Sequence, residues 1–332
     1  MRRWLVAVFA LVVAACLLSA PTAASAGGGR SGNGQWIAYQ SSRSGQEGVW
    51  LIRPDGTHNH EVATDAPGER LLPDWSPDGR YLAFISRSEN GDLIYEYDTI
   101  KHTSRQLFDC NSPCVGYDEP AYSPDGRHMA FIRYLGPFSD EGLPADCSLW
   151  IGDRRTGAVR QITSNRGTEC DREYNPTWSP DGKHLAYWRD PYVDGRPTGT
   201  AVFTIRADGT GEHRLTNPAM FAGSPSWSPD GQWIVFSTYP LAEFQCCQIS
   251  NLYRIRPNGT RMQKLTNLRT DQLRATQPRY APDGKNLVVT AVTPTTRSLW
   301  ILPATGGRPR TVAPGGPFPD FYTHGTWQPK HR

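Results

Sequence analysis

What this 332-residue sequence lacks narrows it first. It has no excess of charge of one sign: 35 Lys and Arg stand against 32 Asp and Glu, a net charge of +3. Arg2 and Arg3 sit at the extreme N-terminus, so the remainder is close to neutral. Neutralising phosphates takes a basic excess, which excludes nucleic acid as a partner. Long apolar runs are missing as well. The one run, Leu5 to Leu18, has 14 residues, fewer than the roughly 20 a membrane-spanning helix needs. Catalytic motifs are absent: there is no G-x-S-x-G elbow, and His60-Glu61 lacks the second histidine of a zinc protease. Neither a C-x2-C pair nor a matching histidine spacing supports a zinc site. Glycine and proline, by contrast, are abundant at 32 and 28 residues. That excess without low complexity means many turns and rules out a fold of long helices.

Residues 1–26 read as a signal peptide, with Arg2 and Arg3 before the apolar run and Ala24-Ser25-Ala26 offering small residues for cleavage. Residues 27–33 follow as a short linker. A competing reading exists. Val13-Ala14-Ala15-Cys16 fits a bacterial lipobox, with Cys16 as the lipid anchor of a lipoprotein on the outer face of the cytoplasmic membrane. Either way the expectation is a secreted or surface-tethered chain.

From residue 34 onward the sequence repeats, and the repeat decides the fold. Trp75-Ser-Pro-Asp-Gly79, Tyr122-Ser-Pro-Asp-Gly126, Trp178-Ser-Pro-Asp-Gly182, Trp227-Ser-Pro-Asp-Gly231 and Tyr280-Ala-Pro-Asp-Gly284 recur at spacings of 47, 56, 49 and 53. A degenerate copy stands at Trp327-Gln328-Pro329. In each, Pro presets φ, Asp bonds the local backbone and Gly accepts a positive φ, which makes a tight turn. An apolar strand follows, such as Tyr81-Leu-Ala-Phe-Ile85 or His128-Met-Ala-Phe-Ile132. A third strand comes after a variable loop, for example Leu149-Trp-Ile151 or Leu252-Tyr-Arg-Ile255, and a short fourth strand closes the unit. Four strands in about 50 residues make one propeller blade.

The ends complement each other. Gly34-Gln-Trp-Ile-Ala-Tyr39 matches a second strand with no first strand before it, and His324-Gly-Thr-Trp327 is a first strand with nothing after it. The expectation is an all-β six-bladed propeller over 34–332, with four-stranded blades and the C-terminal strand closing the N-terminal blade. The repeats resemble those of the TolB-type (WD40-like, PD40) six-bladed propeller, whose units carry a W-S-P-D-G-x-x-[LI]-[AV]-F signature. That resemblance implies a partner-binding protein of the periplasm. TolB itself carries an α/β domain ahead of the propeller, and about 8 residues separate Ala26 from the first strand, so the expectation is a stand-alone propeller. Similar units also precede the hydrolase domain of prolyl-oligopeptidase-like enzymes.

Turns alternate between the two faces of a blade. The Ser-Pro-Asp-Gly turns and the Asp-Gly turns share one face, which reads as uniform and tight. The other collects the long variable loops, where binding on rigid scaffolds usually lives. Cys110, Cys114, Cys147, Cys170, Cys246 and Cys247 all fall there, an even number that favours disulfides in an exported chain. Cys110–Cys114 and Cys147–Cys170 are the simplest pairings, with Cys246 and Cys247 left over. Three residues before each repeat aromatic stand Leu72, Glu119, Asn175, Ser224, Gln277 and His324, a ring around the axis that reads as the channel mouth. Asp118, Glu173 and Arg279 lie nearby in sequence.

Two expectations follow for function. The first is a non-enzymatic propeller that binds a protein, peptide or glycan on the disulfide-bearing loop face, through Phe138, Tyr192 and Phe244 with Glu119, Asn175, Gln277, Arg279 and His324. The alternative is an extracellular lyase or hydrolase working at the polar channel mouth. No cofactor is expected beyond a channel cation such as calcium.

Overall fold

The computed structural model describes residues 35–138, 144–164, 172–190, 192–193, 196–197, 199–238, 250–268, 273–313 and 322–329. Six sheets of four antiparallel strands succeed one another around a ring. Blade 1 joins Tyr322–Trp327, innermost, to Ile37–Ser41, Gly48–Ile52 and His60–Val62. Blade 2 comprises Glu69–Trp75, Tyr81–Ser88, Gly91–Asp98 and Thr103–Gln106. Blade 3 comprises Cys114–Tyr122, His128–Phe138, Pro144–Asp153 and Val159–Gln161. Blade 4 comprises Arg172–Trp178, His184–Asp190, Ala201–Arg206 and His213–Arg214. Ala222–Trp227, Ile234–Thr238, Leu252–Ile255 and Gln263–Lys264 form blade 5. Arg274–Tyr280, Asn286–Val292, Arg297–Pro303 and Arg310–Ala313 form blade 6.

The expected seam is present. Ile37 pairs with Trp327 and Ser41 with Tyr322, so neither chain end leaves blade 1 an open inner edge. Gln328 reinforces it: its N–H donates to Trp36 O at 2.8 Å, its Oε1 accepts from Trp36 N at 3.2 Å, and its Nε2 donates to Gly79 O at 2.8 Å. The C-terminus thereby ties blade 1 to blade 2.

Each Ser-Pro-Asp-Gly turn is held by the bonds its residue types dictate. In blade 3, Asp125 Oδ1 accepts from Arg127 N at 3.0 Å and Ser123 Oγ accepts from His128 N at 2.9 Å. Gly126 takes φ +68°, and a Cβ there would lie 3.2 Å from Pro77 of the preceding blade's turn. The core lies between blades. Phe108 of blade 2 packs 5.1 Å from Phe131 of blade 3, centroid to centroid, with Tyr117 edge-on to Phe131 at 5.2 Å. The repeat aromatics Trp75, Tyr122 and Trp327 are buried in these seams, and Trp178 Nε1 donates to Ala121 O of the blade before it at 3.1 Å.

Candidate binding site at the propeller axis

All six ring residues occupy the left-handed region. Leu72, Glu119, Asn175, Ser224, Gln277 and His324 have φ between 48° and 56°. Each sits at a β-bulge, where the pairing of first and second strands skips a register. A non-glycine residue held at such a φ costs on the order of 1 kcal/mol or more, and six at equivalent positions are a built feature of the repeat. A bulge bends its strand and re-aims its side chain. The ring lies midway along the innermost strands, inside the channel. This places it deeper than the loop-face mouth that the sequence spacing suggested.

A bulge also frees a backbone N–H from the ladder, and a buried N–H needs an acceptor. The neighbouring blade supplies one. Glu119 of blade 3 accepts from Asn175 N of blade 4 and from its Nδ2, the latter at 2.7 Å. Gln277 Oε1 of blade 6 accepts from His324 N of blade 1 at 3.3 Å. Gln40 Oε1 of blade 1 accepts from Leu72 N of blade 2 at 3.2 Å. The polar ring side chains are therefore blade-to-blade ties as well as a channel lining.

Leu72, Pro73, Asp74, Glu119, Pro120, Asn175, Arg279 and His324 line an axial space of about 20 Å³, room for one or two water-sized groups. Burial pushes the Glu119 carboxyl well above its ordinary range, and the neighbouring Asp118 charge adds to the effect. Burial likewise lifts Asp118 to about 6 and raises Asp74. His324 is driven the other way, to about 3, by burial first and then by Arg279 and Arg297. Its neutral ring fits its partners. Gln277 Nε2 stands 2.6 Å from His324 Nε2, so that nitrogen accepts, and Nδ1 carries the proton toward Thr323 Oγ1 at 3.1 Å. The Arg279 side chain makes no hydrogen bond or ion pair among the described residues, and its guanidinium is the one arginine or lysine group in the lining. A group reaching the axis meets that donor fork beside protonatable acids already engaged by the backbone. Among the described residues no three His, Cys, Asp or Glu side chains converge as metal ligands.

Glu173 is not at the axis. It is buried in the seam between blades 3 and 4, where it accepts from Leu149 N at 2.9 Å and pairs with Arg189 at 2.6 Å. Cys110 and Cys114 are disulfide-bonded with Cα atoms 5.0 Å apart. Cys147 is also disulfide-bonded. Cys16, Cys170, Cys246, Cys247 and Phe244 lie outside the described residues, as do the side chains of Phe138 and Tyr192.

The turn face is less uniform than its sequence suggests. Two repeat-equivalent clefts open on it. One, of about 470 Å³, lies between blades 2 and 3 and is lined by Tyr81, Arg105, Gly126, Arg127, Asp153, Arg154 and Arg155. The other, of about 640 Å³, lies between blades 5 and 6, with Asp230, Trp233, Arg254, Tyr280, Asp283 and Lys285 among its lining. A signal for both was present. The residues paired with the second-strand Ala or Val are Leu51, Glu96, Ile151, Thr204, Arg254 and Ile301. Only blades 2 and 5 put a charge in that column.

Six four-stranded blades around a polar axis define a β-propeller, and the comparisons place it within that class. Residues 119–293 match the TolB beta propeller domain, and the chain belongs to that family. An uncharacterised protein of Agrobacterium fabrum is 27% identical over 213 residues, 64% of this chain and 63% of its own length. The chain thus spans just under two thirds of that relative. TolB from Acinetobacter baumannii superposes with a TM-score of 0.66 at 21% identity, over 90% of this chain and 67% of that one. An oligogalacturonate lyase from Vibrio parahaemolyticus superposes with a TM-score of 0.57 at 13% identity, over 84% of this chain and 74% of that one. At these identities the two structures share the fold alone. Among the described residues no helix is long and apolar enough to cross a membrane.

Proposed function

We propose that this propeller is a partner-binding protein of the cell envelope or the medium, which takes a protein, peptide or glycan on its loop face with one polar group reaching the axis at Arg279. The observation that carries the reading is the state of the axial acids and imidazole. Glu119 is engaged by two donors of Asn175 and His324 by Gln277, so the groups best placed for proton transfer serve to hold blades together. A general base needs a free lone pair aimed at substrate, whereas a rigid polar ring with one uncommitted guanidinium suits recognition. TolB among the structural neighbours supports a binding role, and the likeness to an oligogalacturonate lyase supports the second reading, an enzyme acting on a polar polymer at the channel.

Capture from native envelope extract and culture medium tests the choice. With the whole exported protein as bait, deleting Pro137–Leu143 or replacing Phe244 or Tyr192 by Ala abolishes capture and leaves the melting temperature nearly unchanged. Arg279→Gln weakens capture, and Asp181→Ala lowers stability while sparing affinity in the folded fraction. Retained capture by all the loop variants overturns the loop-face assignment. Turnover of a polyuronate or peptide that vanishes in Glu119→Gln or His324→Ala promotes the enzyme.

A further inference from the structure

The cleft between blades 2 and 3 lies on the face opposite the long loops, and its charge is unbalanced. At its floor Glu96 is buried, 1% exposed. Its carboxylate accepts from Arg154 Nε, from Arg105 Nη2 at 2.8 Å and from the Tyr122 hydroxyl at 2.7 Å. One carboxylate is therefore shared by two guanidiniums. The only acid in the wall, Asp153, is spent on its own turn, where Oδ1 accepts from the N–H groups of Arg155 at 2.9 Å and Thr156 at 2.8 Å. Arg80, beside the cleft, is already paired with Asp98 at 2.7 Å. Arg127 and Arg155 are exposed and their side chains bond nothing among the described residues. The terminal nitrogens of Arg154 are equally uncommitted there. With Asp125 beside Arg127 counted in, four guanidiniums thus face three carboxylates, on a chain that is otherwise close to neutral.

We propose that this cleft docks an acidic peptide segment of a protein partner, whose carboxylates are received by Arg105, Arg127, Arg154 and Arg155. The planar donor fork of arginine matches a carboxylate in bidentate fashion, and a space of about 470 Å³ is of the size that takes a short segment. The aromatic rings decide between a peptide and an acidic sugar polymer. A pyranose ring needs an open aromatic face to stack on. Here Arg154 covers Tyr81 at 4.5 Å and Tyr122 at 5.6 Å, and Arg80 also lies over Tyr81 at 4.9 Å. No ring is left open. Carboxylates on a flexible backbone need only the arginines. This surface does not depend on the loop-face reading, since it lies at the other end of the blades.

Fluorescence anisotropy with a labelled, end-capped hexaglutamate peptide and the whole exported protein tests the proposal. The peptide binds with an affinity that falls steeply with salt, as expected for exposed charges. The double variant Arg127→Glu/Arg155→Glu weakens it by about tenfold or more, and Arg127→Gln/Arg155→Gln by less. Neither pair holds the fold, so both variants keep the melting temperature. Trp233→Ala, in the other cleft, changes nothing. Hexagalacturonate and inorganic phosphate compete at least about tenfold more weakly than unlabelled peptide. Absence of peptide binding at low salt overturns the proposal, as does equal binding by the wild type and the charge-reversed pair. Competition by hexagalacturonate at the strength of the peptide overturns it in favour of a polysaccharide site, and competition by phosphate at that strength reduces it to a general anion site.

Discussion

The two turn-face clefts occupy equivalent places in the repeat yet are built on opposite charges. Between blades 2 and 3 the floor is Glu96, enclosed by Arg154, Arg105 and the hydroxyl of Tyr122. Between blades 5 and 6 the same backbone position carries Arg254, which donates to Gln263 at 2.8 Å and to Ala304 O at 3.3 Å and lies 4.3 Å over Trp233. Tyr280 replaces Tyr122, and its buried hydroxyl, though beside Arg254, makes no hydrogen bond of normal geometry. The propeller fixes where a cleft opens. The identity of one inward residue then decides whether that cleft is a closed ionic network or a looser aromatic pocket.

The largest effect comes from breaking the ring on which both clefts depend. Deleting residues 322–332 removes the inner strand of blade 1 and exposes the edge of Ile37–Ser41. The lost pairing and burial cost several kcal/mol, a large part of a total of about 5–15 kcal/mol. Chemical unfolding measures it, and a melting temperature within a degree or two of the full chain contradicts the shared-blade seam.

Next in size is the floor charge itself. Glu96→Gln removes the one fully buried charge and leaves Arg154 and Arg105, both partly exposed, without their carboxylate, a loss of charged hydrogen bonds worth about 1.5–3 kcal/mol. Arg254→Gln, in the matching position, removes contacts that a neutral amide partly replaces and costs about 1 kcal/mol or less. Urea unfolding of both variants checks the ratio. Equal losses mean that the clefts differ only in appearance.

A pH series separates the axis from both clefts. His324 has its folded-state value depressed to about 3 from an ordinary 6.5. The unfolded chain therefore binds the extra proton between those values, and stability is lost as pH falls from about 6.5 toward 3. Asp118, raised to about 6, acts in the opposite sense: its contribution is present below about 4 and is lost as pH rises through 6. Comparing the wild type with His324→Gln cancels the carboxyl part. The wild type loses ground to that variant on acidification by at most about 1.4 kcal/mol per pH unit, and a pH-independent gap refutes a buried neutral imidazole.

How much of this was legible in the sequence follows from what repeats and what does not. The turn strings and the strand after each of them recur, so blade number, strand order and the closing of blade 1 by His324 to Trp327 follow from spacing. The ring residues follow too, because equivalence in a cyclic repeat is equivalence in space. Their depth did not, since a bulge after Leu71 or Asp118 is a pairing irregularity that no residue type announces. The clefts stayed hidden for another reason. Glu96 and Arg254 sit in a strand that reads as apolar in blades 1, 3 and 6, and their meaning appears only when six third strands are set in one column. The pairing of Glu96 with Arg154 spans 58 residues, and nothing local signals it.

The smallest expected effect sharpens the comparison most, because it alters one oxygen in each cleft. Tyr122→Phe removes a hydroxyl that donates to the buried Glu96 carboxylate at 2.7 Å. A hydrogen bond to a charged group is worth about 1.5–3 kcal/mol. Arg154 and Arg105 still hold the carboxylate, so the loss falls at the lower end, about 1.5 kcal/mol. Tyr280→Phe removes a hydroxyl that is buried and unsatisfied among the described residues. Taking away a buried donor with no partner relieves a desolvation cost, so that variant is unchanged or more stable by up to about 1 kcal/mol. Thermal and urea unfolding of the two single variants and the double one measure both signs, and the double variant is additive because the residues lie on blades 3 and 6 and share no partner. If Tyr280→Phe costs as much as Tyr122→Phe, then Arg254 holds the Tyr280 hydroxyl as Glu96 holds that of Tyr122, and the two clefts are the same device with the charges exchanged.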